Sequence, residues 1–325
     1  MPRPKVITLA PVALDRNGIT TAETLVSARL SLLINDTLST GYDRNGIATA
    51  QTPTSAAAMT LDGALGTDFT GRDGAYVLLH AVGADTARTF TVVGKDKFGG
   101  RLTENITGPG TGLIEVGATK FWQIDSVTPD AATAGAIEVG VNGYVDFTQP
   151  QHVTIFSAGD DTGDTFTVTG TDRYGAAMTE DITGSNAGTS AGVKNFARVD
   201  IISSSGASAG NVEAGVNGLC ESAWYVLNYR GPDFNVGLGC EISSGASLTY
   251  AVQHTFANLQ RQGSGPDGAG GFVEDEATVY THDTLNGQTA NQDGNYTSPP
   301  TGTRLAITAH TSGTASLTIV QAGRS

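Results

Sequence analysis

Two cysteines, three methionines and two tryptophans are all that 325 residues supply of those types, and only 15% of the chain is charged. Each shortage excludes something. Cys220 and Cys240 lie outside any C-x-x-C pair, so neither a zinc knuckle nor a dithiol site is supported, and free buried thiols are expected over a disulfide. No apolar run approaches the ~20 residues of a membrane-spanning helix, so no membrane partner is expected. The opening residues, MPRPKVITL, carry no apolar signal-peptide core, and signal-peptide export is not expected. Basic residues are scarce: 18 against 32 acidic, a net charge of −14, with no Lys/Arg cluster. That balance repels phosphate backbones, so nucleic acid is not an expected partner. Helical periodicity is missing as well.

What fills the chain is Gly, 43 residues and about twice ordinary usage, together with Thr, Ala, Ser and Val. Thr and Val suit pleated strands, and Gly supplies the turns between them. An all-β fold is expected. Comparing the chain with itself shows a duplication. Residues 90–108 read FTVVGKDKFGGRLTENITG, and residues 166–184, 76 positions later, read FTVTGTDRYGAAMTEDITG. Phe121 matches Phe196, Ala134-Gly135 matches Ala209-Gly210, and both units close on Gly-Val-Asn-Gly, at Gly140 and at Gly215.

Alternating residues predict about five strands per unit. In the second unit they include Phe166 and Val168, then Met178, Glu180 and Ile182, with a hairpin turn at Asp172-Arg173-Tyr174-Gly175 that corresponds to Asp96-Lys97-Phe98-Gly99. The expected organisation is an extended N-terminal docking segment (1–70), β-repeat unit 1 (71–148), β-repeat unit 2 (149–218) and a C-terminal β-sandwich (219–325). The units themselves are expected to be small sandwiches or barrels. The head has its own echo, Asp15-Arg16-Asn17-Gly18-Ile19 and Asp43-Arg44-Asn45-Gly46-Ile47, which reads as two β-turns. Residues 23–34 between them lean toward strand over helix. In the tail, Leu248, Tyr250, Val252, His254 and Phe256 share one phase, and two further alternating runs flank Thr311-Ser312-Gly313. Long loops are expected at 258–271 and 282–303.

Several motifs invite a chemical reading and fail it. Gly206-Ala207-Ser208-Ala209-Gly210 matches G-x-S-x-G, but a nucleophile elbow needs a strand-to-helix turn, and the repeat partner has Thr133 where Ser208 stands. The Asp160-Asp161-Asp164 cluster and the DRNG segments lack the alternating oxygens and final Glu of a calcium loop. Glu274-Asp275-Glu276 reads as a solvated edge. The histidines, at 80, 152, 254, 282 and 310, are scattered and match no metal or catalytic pattern. Glu104 and Glu180 are repeat equivalents on strands, which points to a structural role twice over. No catalytic residue, cofactor or metal ligand is assigned. Trp122, Trp224 and Tyr225 are the aromatics a glycan-binding surface would draw on.

The segments DRNGIATAQTP, TFTVTGTDRYGAAMTEDITG, FNVGLG with YAVQHTF, and TIVQAG resemble segments of virion structural proteins of tailed bacteriophages. The likeness covers most of the chain, from Asp43 to Gly323, and departs from the pattern by carrying the central unit twice. It implies a non-enzymatic particle protein, assembled in the host cytoplasm and located in the virion. The expected form is a capsid decoration, cement or head-spike protein bound to the major capsid protein, with a homotrimer as the analogy. Tail, adaptor or baseplate placement and a receptor- or glycan-binding module are the alternatives.

Overall fold

The computed structural model describes residues 4–26, 31–35, 40–229, 235–257, 259 and 277–321. Among them the only helical turn is a short 3-10 segment, Thr70–Arg72, and everything else regular is strand. The head contributes β1 (Lys5–Leu9), β2 (Asp15–Thr24) and β3 (Asp43–Gln51). Unit 1 supplies β4 (Ala75–Ala81), β5 (Thr89–Lys95), β6 (Arg101–Thr107), β7 (Ile114–Phe121), β8 (Gln123–Pro129) and β9 (Ile137–Val141). Unit 2 supplies β10 (Val145–Gln151), β11 (Val153–Asp160), β12 (Thr165–Thr171), β13 (Ala177–Thr183), β14 (Asn186–Ala191), β15 (Phe196–Ser204) and β16 (Asn211–Val216). The tail supplies β17 (Cys220–Glu221), β18 (Tyr225–Val226), β19 (Val236–Ile242), β20 (Ser247–Thr255), β21 (Tyr280–Thr281), β22 (Gln292–Tyr296), β23 (Gly302–Ser312) and β24 (Ala315–Gln321).

These strands form three antiparallel sandwiches, each around its own core. Unit 1 packs the sheet β3-β9-β4-β7 on β6-β5-β8, with Ile47, Val77, Leu79, Phe90, Phe121 and Val139 between them. Unit 2 packs β14-β11-β16-β2 on β10-β15-β12-β13 around Ile19, Ile155, Phe166, Phe196 and Val212. The third sandwich packs β1-β24-β19-β22 on β17-β23-β20-β21, with Leu9, Leu238, Tyr250, Leu305 and Leu317 inside. Alternation along β12, where Phe166 and Val168 are buried and the threonines half-buried, is the pattern of a strand with one face on a core. Unit 1 therefore has a four- and a three-stranded sheet and unit 2 two four-stranded ones, against the five strands per unit expected from alternation. β10 begins at Val145 and pairs with β15, so the unit boundary lies a few residues earlier than 148.

The head is extended, as expected, yet its three strands enter three different sandwiches. β1 pairs with β24, β2 with β16 and β3 with β9, each at the edge of its sheet. The DRNG segments are consequently not β-turns. They open β2 and β3, which share one burial pattern through their first nine residues and occupy equivalent places in the two units. The duplication thus extends into the head, in crossed order: the first DRNG strand serves unit 2 and the second serves unit 1. Each has register breaks against its partner, the mark of β-bulges. Residues 23–34 are neither a helix nor a continuous strand among the described positions. β2 ends at Thr24, and Leu25, Leu32 and Ile34 drop into the unit 2 core.

In the tail, β23 and β24 flank the expected turn at Gly313 but lie in opposite sheets, so the chain crosses the sandwich there instead of closing a hairpin. The expected loop 282–303 contains β22, which pairs with β19. Most of the loop expected at 258–271 lies outside the described residues. Cys220 and Cys240 are both free and buried in the third core.

Candidate functional site

The polar motifs singled out from sequence are placed where they hold backbone, and they do so in pairs. Glu104 Oε1 accepts from the backbone N–H groups of Ala118 at 2.5 Å and Thr119 at 3.1 Å; Glu180 Oε1 accepts from Val193 at 2.6 Å and Lys194 at 3.1 Å. Burial pushes the Glu104 carboxyl up from its ordinary value, with these hydrogen bonds acting against the shift. Asp85 and Asp161 are buried equivalents that accept from Ala134 and Ala209 at 2.7 and 2.6 Å. Asp96 and Asp172 each bind two N–H groups of their hairpin turn, at 2.7 to 2.9 Å. Ser208, the would-be nucleophile, accepts from the Leu25 N–H at 2.8 Å and donates to the Gly210 carbonyl at 2.6 Å, so its hydroxyl ties the head to unit 2.

The DRNG arginines carry the same logic. Arg16 pairs with Glu213 and Arg44 with Glu138, each at 2.5 Å, joining head strands to the last strand of each unit. Between the units, Asp200 on β15 is buried and takes Lys120 Nζ at 2.8 Å and Arg198 Nε at 2.6 Å, while Arg198 also donates to the Arg72 carbonyl. Between unit 2 and the third sandwich, the half-buried Glu221 lies against His152 Nε2 at 3.3 Å, with the Asn195 amide hydrogen bonded to the same carboxylate. Burial alone would raise the Glu221 carboxyl. The hydrogen bond and electrostatic pull of His152, joined by Arg304 and Asn195, outweigh it and hold the group below its ordinary value.

The tryptophans are not the exposed aromatics. Trp122 is half-buried beside Lys120, Trp224 is buried under the Arg304 guanidinium at 4.6 Å, and Tyr225 is half-buried. Exposure falls instead on Phe98, 84% accessible, and Tyr174, 59% accessible, which cap the equivalent β5–β6 and β12–β13 hairpins. A second exposed group is Phe256 and Tyr280 at one end of the third sandwich. The shared phase of β20 runs from Leu248, Tyr250 and Val252 in the core to His254 at its margin and Phe256 outside it.

At that end lies a cleft of about 360 Å³, lined by His254, Phe256, His282, Asp283, Asn295 and Tyr296, with hydroxyls from Thr284, Thr297 and Ser298 and the Pro300 ring. Its floor is an aromatic cluster. The His254 ring meets Tyr296 edge-on at 5.2 Å and Phe256 at 5.6 Å, and stacks on Tyr280 at 5.7 Å. His282 is fixed at both nitrogens: Nε2 is 3.2 Å from the Asn295 carbonyl and Nδ1 accepts the Thr284 N–H at 3.2 Å. That arrangement assigns the neutral ring with its proton on Nε2. Burial, reinforced by His282, lowers the His254 imidazole below its usual range, and its buried Nδ1 has no hydrogen-bond partner among the described residues. Sequence phase pointed to His254 and Phe256. Tyr280, His282 and Tyr296 come from β21, the loop after it and β22, and nothing in their local pattern linked them.

Among the described residues no three His, Cys, Asp or Glu side chains gather as a metal site, and no helix is long and apolar enough to cross a membrane. Glu274-Asp275-Glu276 lies outside the described residues. No family model, no curated protein and no solved structure matches the chain.

Proposed function

We propose that the chain is a non-enzymatic structural component of a tailed-bacteriophage particle, a capsid decoration or head-spike protein that binds the major capsid protein. The observation that carries this reading is the use of the polar motifs. Paired carboxylates and arginines, which would be the raw material of a catalytic site, are spent on backbone N–H groups and on joining the three sandwiches. Such a molecule is a rigid spacer that presents surface. The resemblance of the DRNG, DRYG and TIVQAG segments to phage virion proteins supports the particle as its setting.

The reading changes in one respect from the sequence expectation. The head cannot act as a detachable docking arm, because Leu9, Ile19 and Ile47 on its strands are core residues of the three sandwiches. Contact with the capsid falls instead to exposed parts such as the Phe98 and Tyr174 hairpin tips. Its acidic surface keeps free copies apart before assembly. The test is co-sedimentation of the purified chain with capsids that lack it. Saturable binding at a fixed ratio to the major capsid protein is expected, and a chain that stays in the supernatant at every concentration overturns the proposal. Light scattering on the free chain tests the homotrimer that belongs to the same reading.

A further inference from the structure

The aromatic cleft of the third sandwich has no part in holding the three sandwiches together. Phe256 is 54% and Tyr280 47% exposed. Leaving two large rings in water forgoes roughly 1 kcal/mol or more of burial each, and nothing in the surrounding strands requires them there.

From this cleft we propose a binding site for a neutral saccharide. A sugar ring has an apolar C–H face and a rim of hydroxyls, and the cleft offers complements to both. Phe256 provides exposed apolar surface, and the buried Tyr296 and Pro300 add apolar lining, while Asp283, Asn295, Thr284, Thr297 and Ser298 surround it with acceptors and donors. Asp283, Thr284, Asn295, Thr297 and Ser298 are exposed, so they reach a ligand without first breaking a core contact. The site is also pre-formed. His282 ties the 282–284 loop to β22, and Gly294 lets that strand come close, because a Cβ there would lie 2.9 Å from Leu285 Cδ1 and 3.0 Å from His282 Cε1. Pre-ordered walls lower the entropic cost of binding.

Other ligand classes fit less well. Among the described residues no Lys or Arg lines the cleft, and Asp283 repels anions, so phosphate or an acidic sugar is disfavoured. Rows of hydroxyl and amide groups do not suit a purely apolar ligand. A quaternary amine would need several ring faces turned to one open space, whereas Phe256 and Tyr280 pack against each other, with their centroids 5.5 Å apart at 65°. A volume of about 360 Å³ is at the small end for ligand pockets and suits a short sugar chain end.

The experiment uses the full chain on an array of neutral and acidic oligosaccharides, followed by calorimetric titration with the best neutral binder and with tetramethylammonium. Binding of at least one neutral oligosaccharide is expected, weakened tenfold or more in both Phe256→Ala and Asp283→Asn. Both side chains are exposed, so the thermal transition of each variant should match the parent, which separates loss of the site from loss of the fold. The proposal is overturned if no neutral sugar binds, if binding survives both substitutions, or if tetramethylammonium or acidic sugars are the ligands that depend on Phe256. It stands apart from the particle reading, since a chain that fails to bind capsids could still hold the sugar.

Discussion

A Cβ placed on Gly215 would sit 1.8 Å from the carbonyl oxygen of Asp15, two hundred residues away in sequence, and Gly140 stands in the same relation to Asp43. The head strand crosses the last strand of each unit so closely that only glycine fits. Gly215→Ala and Gly140→Ala should each destabilise their unit by about 3 kcal/mol, toward the upper end of overpacking costs. Gly163→Ala, where a Cβ meets nothing within 4 Å, should leave stability unchanged. Urea unfolding of the three variants checks the contrast.

Those glycines also show what was legible in the sequence. The duplication, the all-β class and the phases of Phe166, Val168 and Leu248 to Val252 follow from alternation, because each strand has one buried face. The crossed placement of the head did not follow, since a DRNG segment satisfies local turn chemistry as well as it opens a bulged strand. A signal was present: Asp-Arg-Asn-Gly occurs twice, and Gly-Val-Asn-Gly closes each unit. Arg16 with Glu213 and Arg44 with Glu138 are the pairs that link them. The aromatic cleft was half legible, because β20 announces Phe256 while its partners arrive from separate elements.

Acid should loosen the contact between unit 2 and the third sandwich. Glu221 is held below its ordinary value in the folded chain, so its contribution is full above the unfolded carboxyl value, about 4.3, and is lost as pH falls through the folded one. Urea midpoints measured from pH 7 downward should fall more steeply in the parent than in Glu221→Gln, whose amide does not titrate. Parallel curves would contradict the assignment.

The thiols should be silent. Burial pushes Cys220 and Cys240 up to about 12, which leaves almost no thiolate at neutral pH. A disulfide reagent such as DTNB should titrate neither in the native chain and both after unfolding in guanidinium. A native count above zero would place at least one thiol outside the core described above.

The hairpin tips separate folding from docking. Phe98 and Tyr174 are the most exposed aromatics of the two units, and the Asp96 and Asp172 carboxylates hold the turns beneath them. Phe98→Ser and Tyr174→Ser should therefore change stability by less than about 0.5 kcal/mol. The double variant should lose most of its co-sedimentation with capsids. Undiminished binding would move the contact elsewhere on the surface.

The proposal of a particle role is tested most directly by copy number, from quantitative mass spectrometry of purified virions of the phage that, on this proposal, would encode the chain. A fixed, simple ratio to the major capsid protein, unchanged by further purification, is the predicted result. Virions that contain none of the chain, or a trace that washes away, would contradict it.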